Sequence, residues 1–297
     1  MINFKPIAIE DKKIYEPFLH DGTERGCEYS FTNLFLWGNQ QAAIYKDHLV
    51  LFSEFNNRRI YPYPLGKGEK KPVIDALMDD AKERNIPFYL SGLYGDARQT
   101  LEELYPDKFQ FHSDPDSYDY VYAIDDLADL KGKKYHRKKN HFNRFRNTFP
   151  DYTVQPLTVE TLCLAREMAD IWYHDRLSES PENDYQLEQT ALNKALLHFE
   201  ELNMEGLLLL HDEKVLAFTI GSRLSDTTFD IHFEKARWDV NGAYTAINCE
   251  FARYLRSKYP KICFLDREDD MGLEGLRKAK QSYYPHHMVE KCFAGLQ

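Results

Sequence analysis

The chain has 297 residues, of which 43% are hydrophobic and 29% are charged; these proportions are typical of a globular protein and exclude a disordered or fibrous one. The formal net charge is −10 at pH 7, which excludes a protein that coats nucleic acid with its whole surface but allows a local basic patch. No run approaches the roughly 18 apolar residues that a membrane span needs, and residues 1–11 lack the charged-then-apolar pattern of a signal peptide. We therefore expect a cytoplasmic protein.

Apolar periodicity and turn residues predict ten elements in the first half of the chain, in the order βααβββαβαβ, where the last symbol is a strand pair. The predicted strands lie at 3–9, 41–45, 48–52, 59–63, 88–91 and 109–124, and the predicted helices at 11–20, 29–39, 71–84 and 96–105.

The same order of elements is predicted a second time in the other half. Its strands lie at 152–157, 207–210, 214–223, 227–233, 262–265 and 287–293, and its helices at 159–176, 185–202, 243–259 and 273–282. The repeated order predicts an α/β chain of two tandem domains, each a mixed central sheet flanked by helices, over residues 1–130 and 150–297.

A basic segment connects the two halves. Residues 131–146 contain eight cationic side chains and no acid: Lys131, Lys133, Lys134, Arg137, Lys138, Lys139, Arg144 and Arg146. The aromatic residues Tyr135, Phe142, Phe145 and Phe149 fall on one stripe of a helix. We expect this basic helix (131–149) to be held to the protein by its aromatic stripe while its other face displays cations. Phosphates of a polyanionic ligand or the acids of 266–270 would neutralise them.

The five cysteines, Cys27, Cys163, Cys249, Cys263 and Cys292, are odd in number and form no CxxC pair. This pattern favours reduced core thiols over a disulfide framework or a zinc site. No GxSxG, P-loop or HExxH motif occurs, which disfavours serine hydrolases, nucleotide triphosphatases and zinc proteases. We expect no bound metal.

The element order of each half is that of the GNAT acyltransferase fold, and four runs make a resemblance specific. They are CEYSFTNLFLW (27–37), GKKYHRKKNHFNRF (132–145), HFEKA with NGAYTAINCEFA (232–236 and 241–252) and DREDDMGLEGLRKAKQSYYP (266–285). The chain resembles the bacterial family typified by the C-terminal domain of phosphatidylglycerol lysyltransferase. The resemblance implies two tandem GNAT domains, as in Fem-type peptidoglycan aminoacyltransferases, and aminoacyl-tRNA or acyl-CoA as donor. A small molecule, a peptide or a lipid headgroup is the implied acceptor.

A GNAT fold binds the pyrophosphate of its acyl carrier at a glycine turn that opens a helix, because unpaired N–H groups and the helix dipole meet there. In the second half this turn is KARWDVNGAY, with Lys235 and Gly242 as candidate phosphate contacts. In the first half it is YPLGKGEKK, with Gly66 and Gly68. An ordinary helix start explains both glycines as well. From the basic helix we add Lys133, Lys134, Arg137, Lys138, Lys139 and Arg144 as candidate donor contacts.

The run DREDD follows a predicted buried strand, where a carboxylate can accept the proton that an attacking amine loses. Glu268 and Asp269 are the candidate base or amine-binding pair, and Arg267 is placed to hold a carboxylate or phosphate. Acids at this point also stabilise the start of the next helix, which is the structural alternative.

Asp230, His232 and Glu234 alternate along one predicted strand and therefore share a face, opposite Phe229, Ile231 and Phe233. In the GNAT fold that strand borders the acceptor cleft, so Glu234 is a third catalytic candidate; a solvated strand face is the alternative. The remaining substrate-binding candidates are His232, Tyr244, Asn248, Lys278 and Tyr283. GNAT folds commonly place a tyrosine at the position of Tyr283 to protonate the leaving group, although a core role fits this residue too.

The sequence thus favours an enzyme that transfers an aminoacyl group, or another acyl group, to an amine or hydroxyl. An acyl-CoA-dependent N-acyltransferase is one alternative. A non-catalytic RNA-binding protein, in which degenerate GNAT domains only present the basic helix, is the other.

Overall fold

The computed structural model describes residues 2–20, 25–55, 58–179 and 185–297, and the chain forms two compact units. The first unit comprises Met1–Tyr118 together with Val289–Gln297, and the second comprises Asp119–Met288. Each unit is built on a seven-stranded mixed sheet. The expected tandem α/β architecture is confirmed.

The first unit follows the predicted order of elements. Its strands are β1 Lys5–Pro6, β2 Asn39–Tyr45, β3 His48–Phe55, β4 Arg58–Pro62, β5 Tyr89–Ser91, β6 Phe109–Ser113 and β14 Cys292–Leu296. Its helices are α1 Lys12–Leu19, α2 Phe31–Leu36, α3 Lys71–Glu83 and α4 Ala97–Leu104. The strands are arranged in the order β1-β2-β3-β4-β5-β14-β6.

The second unit follows the same order after three preceding elements. Its strands are β7 Asp119–Ala123, β8 Thr153–Pro156, β9 Glu205–His211, β10 Lys214–Arg223, β11 Thr228–Ala236, β12 Phe264–Asp266 and β13 His287–Val289. Its helices are α5 Ile124–Asp129, α6 His136–Thr148, α7 Leu162–Glu179, α8 Gln186–Leu197, α9 Ala243–Lys258 and α10 Glu274–Gln281. The strand order is β13-β7-β12-β11-β10-β9-β8.

The two sheets exchange strands, so the units differ from the expected 1–130 and 150–297. Strand β7, which we expected to complete the first half, pairs antiparallel with β12 in the second sheet. Strand β14, from the end of the chain, lies between β5 and β6 in the first sheet. The pattern of apolar residues identifies each segment as a strand but contains no information on which sheet receives it. The short helix α5 was not predicted.

Each unit has its own hydrophobic core between sheet and helices. In the second unit, α9 packs Ala246, Ile247 and Phe251 against the sheet, and each of these side chains is buried. Both faces of β11 are covered: Phe229 and Ile231 are buried in the core beneath α9, and Asp230 and His232 are buried outside that core. The alternative of a solvated strand face is therefore wrong for these two polar residues.

The register of β11 with β10 shifts between Ile220 and Gly221, so Glu234 pairs with Thr219 whereas Asp230 pairs with Ser222. Because Thr219 and Ser222 lie on opposite faces of β10, the expectation that Asp230 and Glu234 share a face is wrong.

The cysteines are all free thiols in the structure. Cys27 and Cys249 are buried as expected, but Cys163 and Cys263 are exposed, so the core assignment is wrong for those two. Among the described residues, no helix has both the length and the apolar composition needed to cross a membrane.

Candidate active site

The candidate site lies where β11 and β12 separate in the second unit. The two strands pair in parallel only over Thr228–Asp230 and Phe264–Asp266. After Asp266 the chain leaves the sheet, because the Asp266 carboxylate accepts the N–H of Glu268 at 2.8 Å and Glu268 adopts a left-handed φ of 58°. Strand β11 continues to Ala236. A wedge therefore opens between the end of β11 and the loop 267–270.

The loop 267–270 is fixed in position by hydrogen bonds from Lys280 and Arg277 of α10. The buried ammonium of Lys280 donates to the carbonyl oxygens of Arg267, Glu268 and Asp269. The Asp270 carboxylate binds Arg277 at 2.7 and 2.8 Å and accepts the Tyr120 hydroxyl at 2.6 Å. Asp270 is thus structural, and the loop presents Arg267 and Glu268 to β11 in fixed positions.

Glu234 is the centre of a polar cluster inside the wedge. Arg267 Nη2 lies 2.8 Å from Glu234 Oε1, and Asn248 Nδ2 donates to Glu234 Oε2 at 3.2 Å. Thr219 faces Glu234 across the β10–β11 register, so their side chains lie on the same face of the sheet. Three atoms of this cluster are buried without a hydrogen-bond partner among the described residues: Arg267 Nη1, Asn248 Oδ1 and Thr219 Oγ1. Such atoms are costly unless a ligand satisfies them.

His232 connects the wedge to the adjacent strand. Its Nε2 lies 2.8 Å from Ser222 Oγ, and its Nδ1 lies 3.2 Å from Glu268 Oε1 and 3.6 Å from Asp230 Oδ2. The two carboxylates favour a proton on Nδ1, which leaves Nε2 to accept the serine hydroxyl proton. His232 is buried, and the Glu268 side chain is 20% exposed. Glu268 is therefore the end of this chain that a substrate can reach.

Tyr283 forms another wall of the cluster. The Arg267 guanidinium carbon lies 5.2 Å from the centre of its ring, and Lys138 Nζ, from α6, lies 3.6 Å from the same centre. Burial raises the pKa of Tyr283 to about 12. Burial, followed by the charges of Arg267 and Arg137, lowers the pKa of Lys138 to about 8. The basic helix thus contributes one amine to the site.

The other cations of the basic helix lie as its pattern predicts. Tyr135, Phe142 and Phe145 are buried, and the half-buried Phe149 packs against the same core. Five exposed cations have no acid within ion-pair distance in the described part of the chain, and four of them are candidate donor contacts: Lys133, Arg137, Lys139 and Arg144, with Arg146 as the fifth. Lys134 pairs with Asp126 at 3.2 Å. None of the six candidate donor contacts pairs with the acids of 266–270, so the alternative of internal neutralisation by those acids is wrong for the described chain.

The remaining candidates lie around the cluster or away from it. Gly242 has a left-handed φ of 85°, and a Cβ there would lie 2.5 Å from the His141 carbonyl oxygen, so glycine is required where α9 begins beside α6. Tyr244, one turn before Asn248, accepts the Trp172 indole N–H at 2.9 Å. Lys235 is buried and pairs with Glu188 at 2.7 Å, so its ammonium is not a surface phosphate contact.

Two further candidates stand at the margin. Lys278 projects from α10 and pairs with Glu274, outside the cluster. Asp269 is half-buried in the loop that Lys280 holds. Sequence analysis missed Ser222 and Thr219, because their positions opposite β11 depend on a register shift between Ile220 and Gly221.

The first unit closes the equivalent wedge with a side chain of its own. Strands β4 and β5 pair in parallel at Tyr61–Leu90 and Pro62–Ser91. Beyond that point the buried hydroxyl of Tyr29 lies 3.3 to 3.5 Å from the carbonyl oxygens of Tyr63, Ser91 and Gly92. The separating strands are thereby joined through Tyr29.

Comparisons with known proteins agree with this architecture. The family described as phosphatidylglycerol lysyltransferase, C-terminal, matches residues 21–294. A conserved protein of unknown function from Bacteroides thetaiotaomicron VPI-5482 is 38% identical, with a TM-score of 0.89 over 100% of both chains. No protein of curated function matches the sequence.

Two more distant structures share the fold. The C-terminal domain of a putative lysylphosphatidylglycerol synthetase from Agrobacterium fabrum is 12% identical, with a TM-score of 0.69 over 97% of this chain and 92% of that one. FemX is 11% identical, with a TM-score of 0.60 over 100% and 98% of the two chains. The match over 21–294 covers most of the chain, which therefore belongs to the phosphatidylglycerol lysyltransferase C-terminal family and is an acyltransferase built from two tandem units.

Proposed function

We propose that the second unit transfers an aminoacyl group from aminoacyl-tRNA to an amine or hydroxyl acceptor: a small molecule, a peptide or a lipid headgroup. One observation carries this proposal: α6 displays unpaired cations on its outer face and, through Lys138, reaches the Glu234 cluster on its inner side. A polyanionic carrier bound along the outer face would have its acyl end at the cluster.

The outer face of α6 has the chemistry of a phosphate-binding surface. Lys133, Arg137, Lys139 and Arg144 are exposed and without acidic partners in the described chain, although the protein as a whole is acidic. Unneutralised cations so close together repel each other, and phosphate oxygens remove that repulsion. A tRNA acceptor stem offers phosphates along such a length, whereas acyl-CoA offers only a few.

The unpartnered donor and acceptors of the Glu234 cluster match the polar groups of an aminoacyl ester. Asn248 Oδ1 and Thr219 Oγ1 can accept hydrogen bonds from an α-ammonium group beside the Glu234 carboxylate, and Arg267 Nη1 can donate a hydrogen bond to the ester carbonyl oxygen. A simple acetyl group would leave the two acceptors unsatisfied. The cluster therefore favours an aminoacyl over a plain acyl group.

Glu268 is placed to accept the proton of the acceptor. Its carboxylate is the exposed end of the chain Ser222–His232–Glu268, and the hydrogen bond to His232 Nδ1 fixes its orientation. Attack of the acceptor nitrogen or oxygen on the ester carbonyl then forms the new bond as Glu268 takes the proton. Asp269, next in the chain, adds negative charge that attracts a cationic acceptor.

The structure of the first unit is a reason to place the proposed aminoacyl transfer in the second unit. Tyr29 occupies the wedge between β4 and β5, where its hydroxyl lies within hydrogen-bond distance of carbonyl oxygens on both sides. At the adjacent turn, a Cβ on Gly66 would lie 2.6 Å from the Asp47 carbonyl oxygen, so the backbone there is already covered.

To test this proposal, the purified protein is incubated with tRNAs that carry labelled amino acids. Hydroxylamine, lipid vesicles and a metabolite extract are supplied as acceptors. We expect wild-type protein to remove label from tRNA and form a new labelled product. Glu268→Gln should lower kcat by about 10²-fold or more, because a general base is lost. The matched control Glu274→Gln, on the exposed face of α10, should not change it.

Two other outcomes would identify the alternatives. Transfer from acyl-CoA, and not from any aminoacyl-tRNA, would contradict the proposed donor and favour an acyl-CoA-dependent enzyme. Tight tRNA binding with no transfer, unchanged in Glu268→Gln and Asp269→Asn, would indicate a non-catalytic RNA-binding protein.

A further inference from the structure

The side chain of Lys138 departs from the other cations of its helix. Lys139, the next residue, is exposed, whereas Lys138 is half-buried with its Nζ 3.6 Å from the centre of the Tyr283 ring. The same ring is contacted by Arg267, which binds Glu234. The Lys138 ammonium therefore lies beside the cluster that would hold the ester, on the inner side of the helix whose outer face would hold the carrier.

We propose that Lys138 is the acid that protonates the leaving oxygen of the donor, rather than a phosphate contact. This inference rests on the proposed function, because it needs an ester whose leaving group is a ribose hydroxyl. An alkoxide is a poor leaving group unless a proton reaches it as the bond breaks.

Tyr283, the residue that the fold suggests for this task, is poorly suited to it here. Its hydroxyl is buried and points to Thr245 Oγ1 at 3.4 Å, and burial raises its pKa to about 12. The pKa of Lys138 is lowered to about 8 by burial. At neutral pH such an ammonium is still protonated, and it gives up its proton more readily than the phenol does.

The charges around Lys138 explain why its ammonium is destabilised without being neutralised. Arg267 from the loop after β12 and Arg137 from its own helix lower its pKa, and Glu234 from β11 partly compensates. His141, one turn along α6, has its own pKa lowered by burial and by Lys138. The Tyr283 ring stabilises the cation through its π face.

The reaction balances without another reactant. The acceptor nitrogen forms a bond to the carbonyl carbon and loses a proton to Glu268. The bond from that carbon to the ribose oxygen breaks, and the oxygen takes a proton from the Lys138 ammonium. The free amine and the carboxylic acid then exchange protons with solvent.

The experiment compares Lys138→Arg with wild type on two donors. Arginine keeps the charge and the contact with Tyr283 but holds its proton far more tightly. With aminoacyl-tRNA we expect kcat to fall by about 10²-fold or more, with little change in KM. With an aminoacyl nitrophenyl ester, whose leaving group needs no proton, the variant should match wild type. Lys214→Arg, on the exposed start of β10, is the matched control.

The pH profile gives a second readout. For wild type, kcat with aminoacyl-tRNA should fall as the pH rises above about 8, because Lys138 then loses its proton; the variant should lack this limb. An equal fall in kcat on both donors would show a structural role for Lys138 and overturn the proposal. An unchanged kcat of Lys138→Arg with aminoacyl-tRNA would overturn it too. If wild type transfers from no aminoacyl-tRNA, the proposed function itself fails, and Lys138 is then no leaving-group acid.

Discussion

At the residue scale, the acids of 266–270 have different roles, and their adjacent positions in the sequence do not reveal which acid has which role. Asp266 and Asp270 are fully buried and hold the loop, whereas Glu268 lies at the edge of the wedge. Asp270 has a structural role: its carboxylate accepts the Gly272 N–H just before α10 and binds Arg277 within α10, although it is not the N-cap residue of that helix. Function and structure are shared within one run of five residues.

Asp270 makes a pH-dependent contribution to stability. The hydrogen bonds from Arg277, with those from Tyr120 and Gly272, lower its pKa to about 2, against the opposing effect of burial. A carboxyl whose pKa is depressed by folding stabilises the protein above its unfolded pKa, and this contribution disappears as the pH falls toward the folded value. We expect the free energy of unfolding to decline between about pH 4 and pH 2.

Urea unfolding across this pH range checks the prediction. Asp270→Asn should lower the free energy of unfolding at pH 7 by about 2–3 kcal/mol, since Arg277 is left without its partner but is partly exposed, and it should flatten the acid limb. Asp226→Asn, an exposed acid of the same unit, serves as control. An acid limb as steep in Asp270→Asn as in wild type would contradict the assignment.

At the element scale, α6 has two functions on two faces. Its aromatic stripe fixes it to the core of the second unit, and its outer cations lack partners in the described chain. Lys138 lies at the border between the faces and turns inward.

The outer face predicts a measurable salt dependence of tRNA binding. Each phosphate contact adds about 0.7 to 0.9 to the slope of log affinity against log salt concentration. Arg137→Ala combined with Lys139→Ala should therefore flatten the slope by about one to two. Filter binding of tRNA from low to moderate salt measures it.

A control variant separates local contacts from net charge. Lys214→Ala combined with Lys261→Ala removes the same charge from exposed positions elsewhere in the second unit, and it should leave the slope nearly unchanged. If both pairs flatten the slope equally, α6 is not a specific phosphate surface.

At the scale of the whole molecule, the exchange of strands makes the end of the chain essential to its beginning. Strand β14 lies inside the first sheet, where Cys292–Leu296 pair with β6 and Ala294 and Gly295 pair with β5. Ala294 is completely buried. A strand between two others contributes both of its hydrogen-bonding edges, so its loss exposes two new edges at once.

Removal of residues 292–297 tests this dependence in the otherwise full-length protein. We expect amide hydrogen exchange to accelerate through β5 and β6 and the core around them, with protection retained in β10 and β11 of the second unit. Removal of Gln297 alone is the control. Faster exchange confined to the residues next to the truncation would show that β14 is dispensable.

The sequence by itself determined the local elements and the duplicated order, because apolar periodicity and turn residues act over a few neighbouring positions. It also determined that the aromatic stripe of α6 is buried, since this follows from the helix period. The strand period predicted that Asp230, His232 and Glu234 share a face, but the register shift places Glu234 opposite Thr219 and Asp230 opposite Ser222, on different faces of the sheet. Only the tertiary structure decided which sheet receives β7 and β14, and that Arg267 binds Glu234 while Glu268 binds His232. These pairings depend on strand exchange, on the register shift in β10 and on the left-handed turn at Glu268. These contacts join residues that are far apart in the chain, and a local pattern of side chains cannot specify which distant residues will meet.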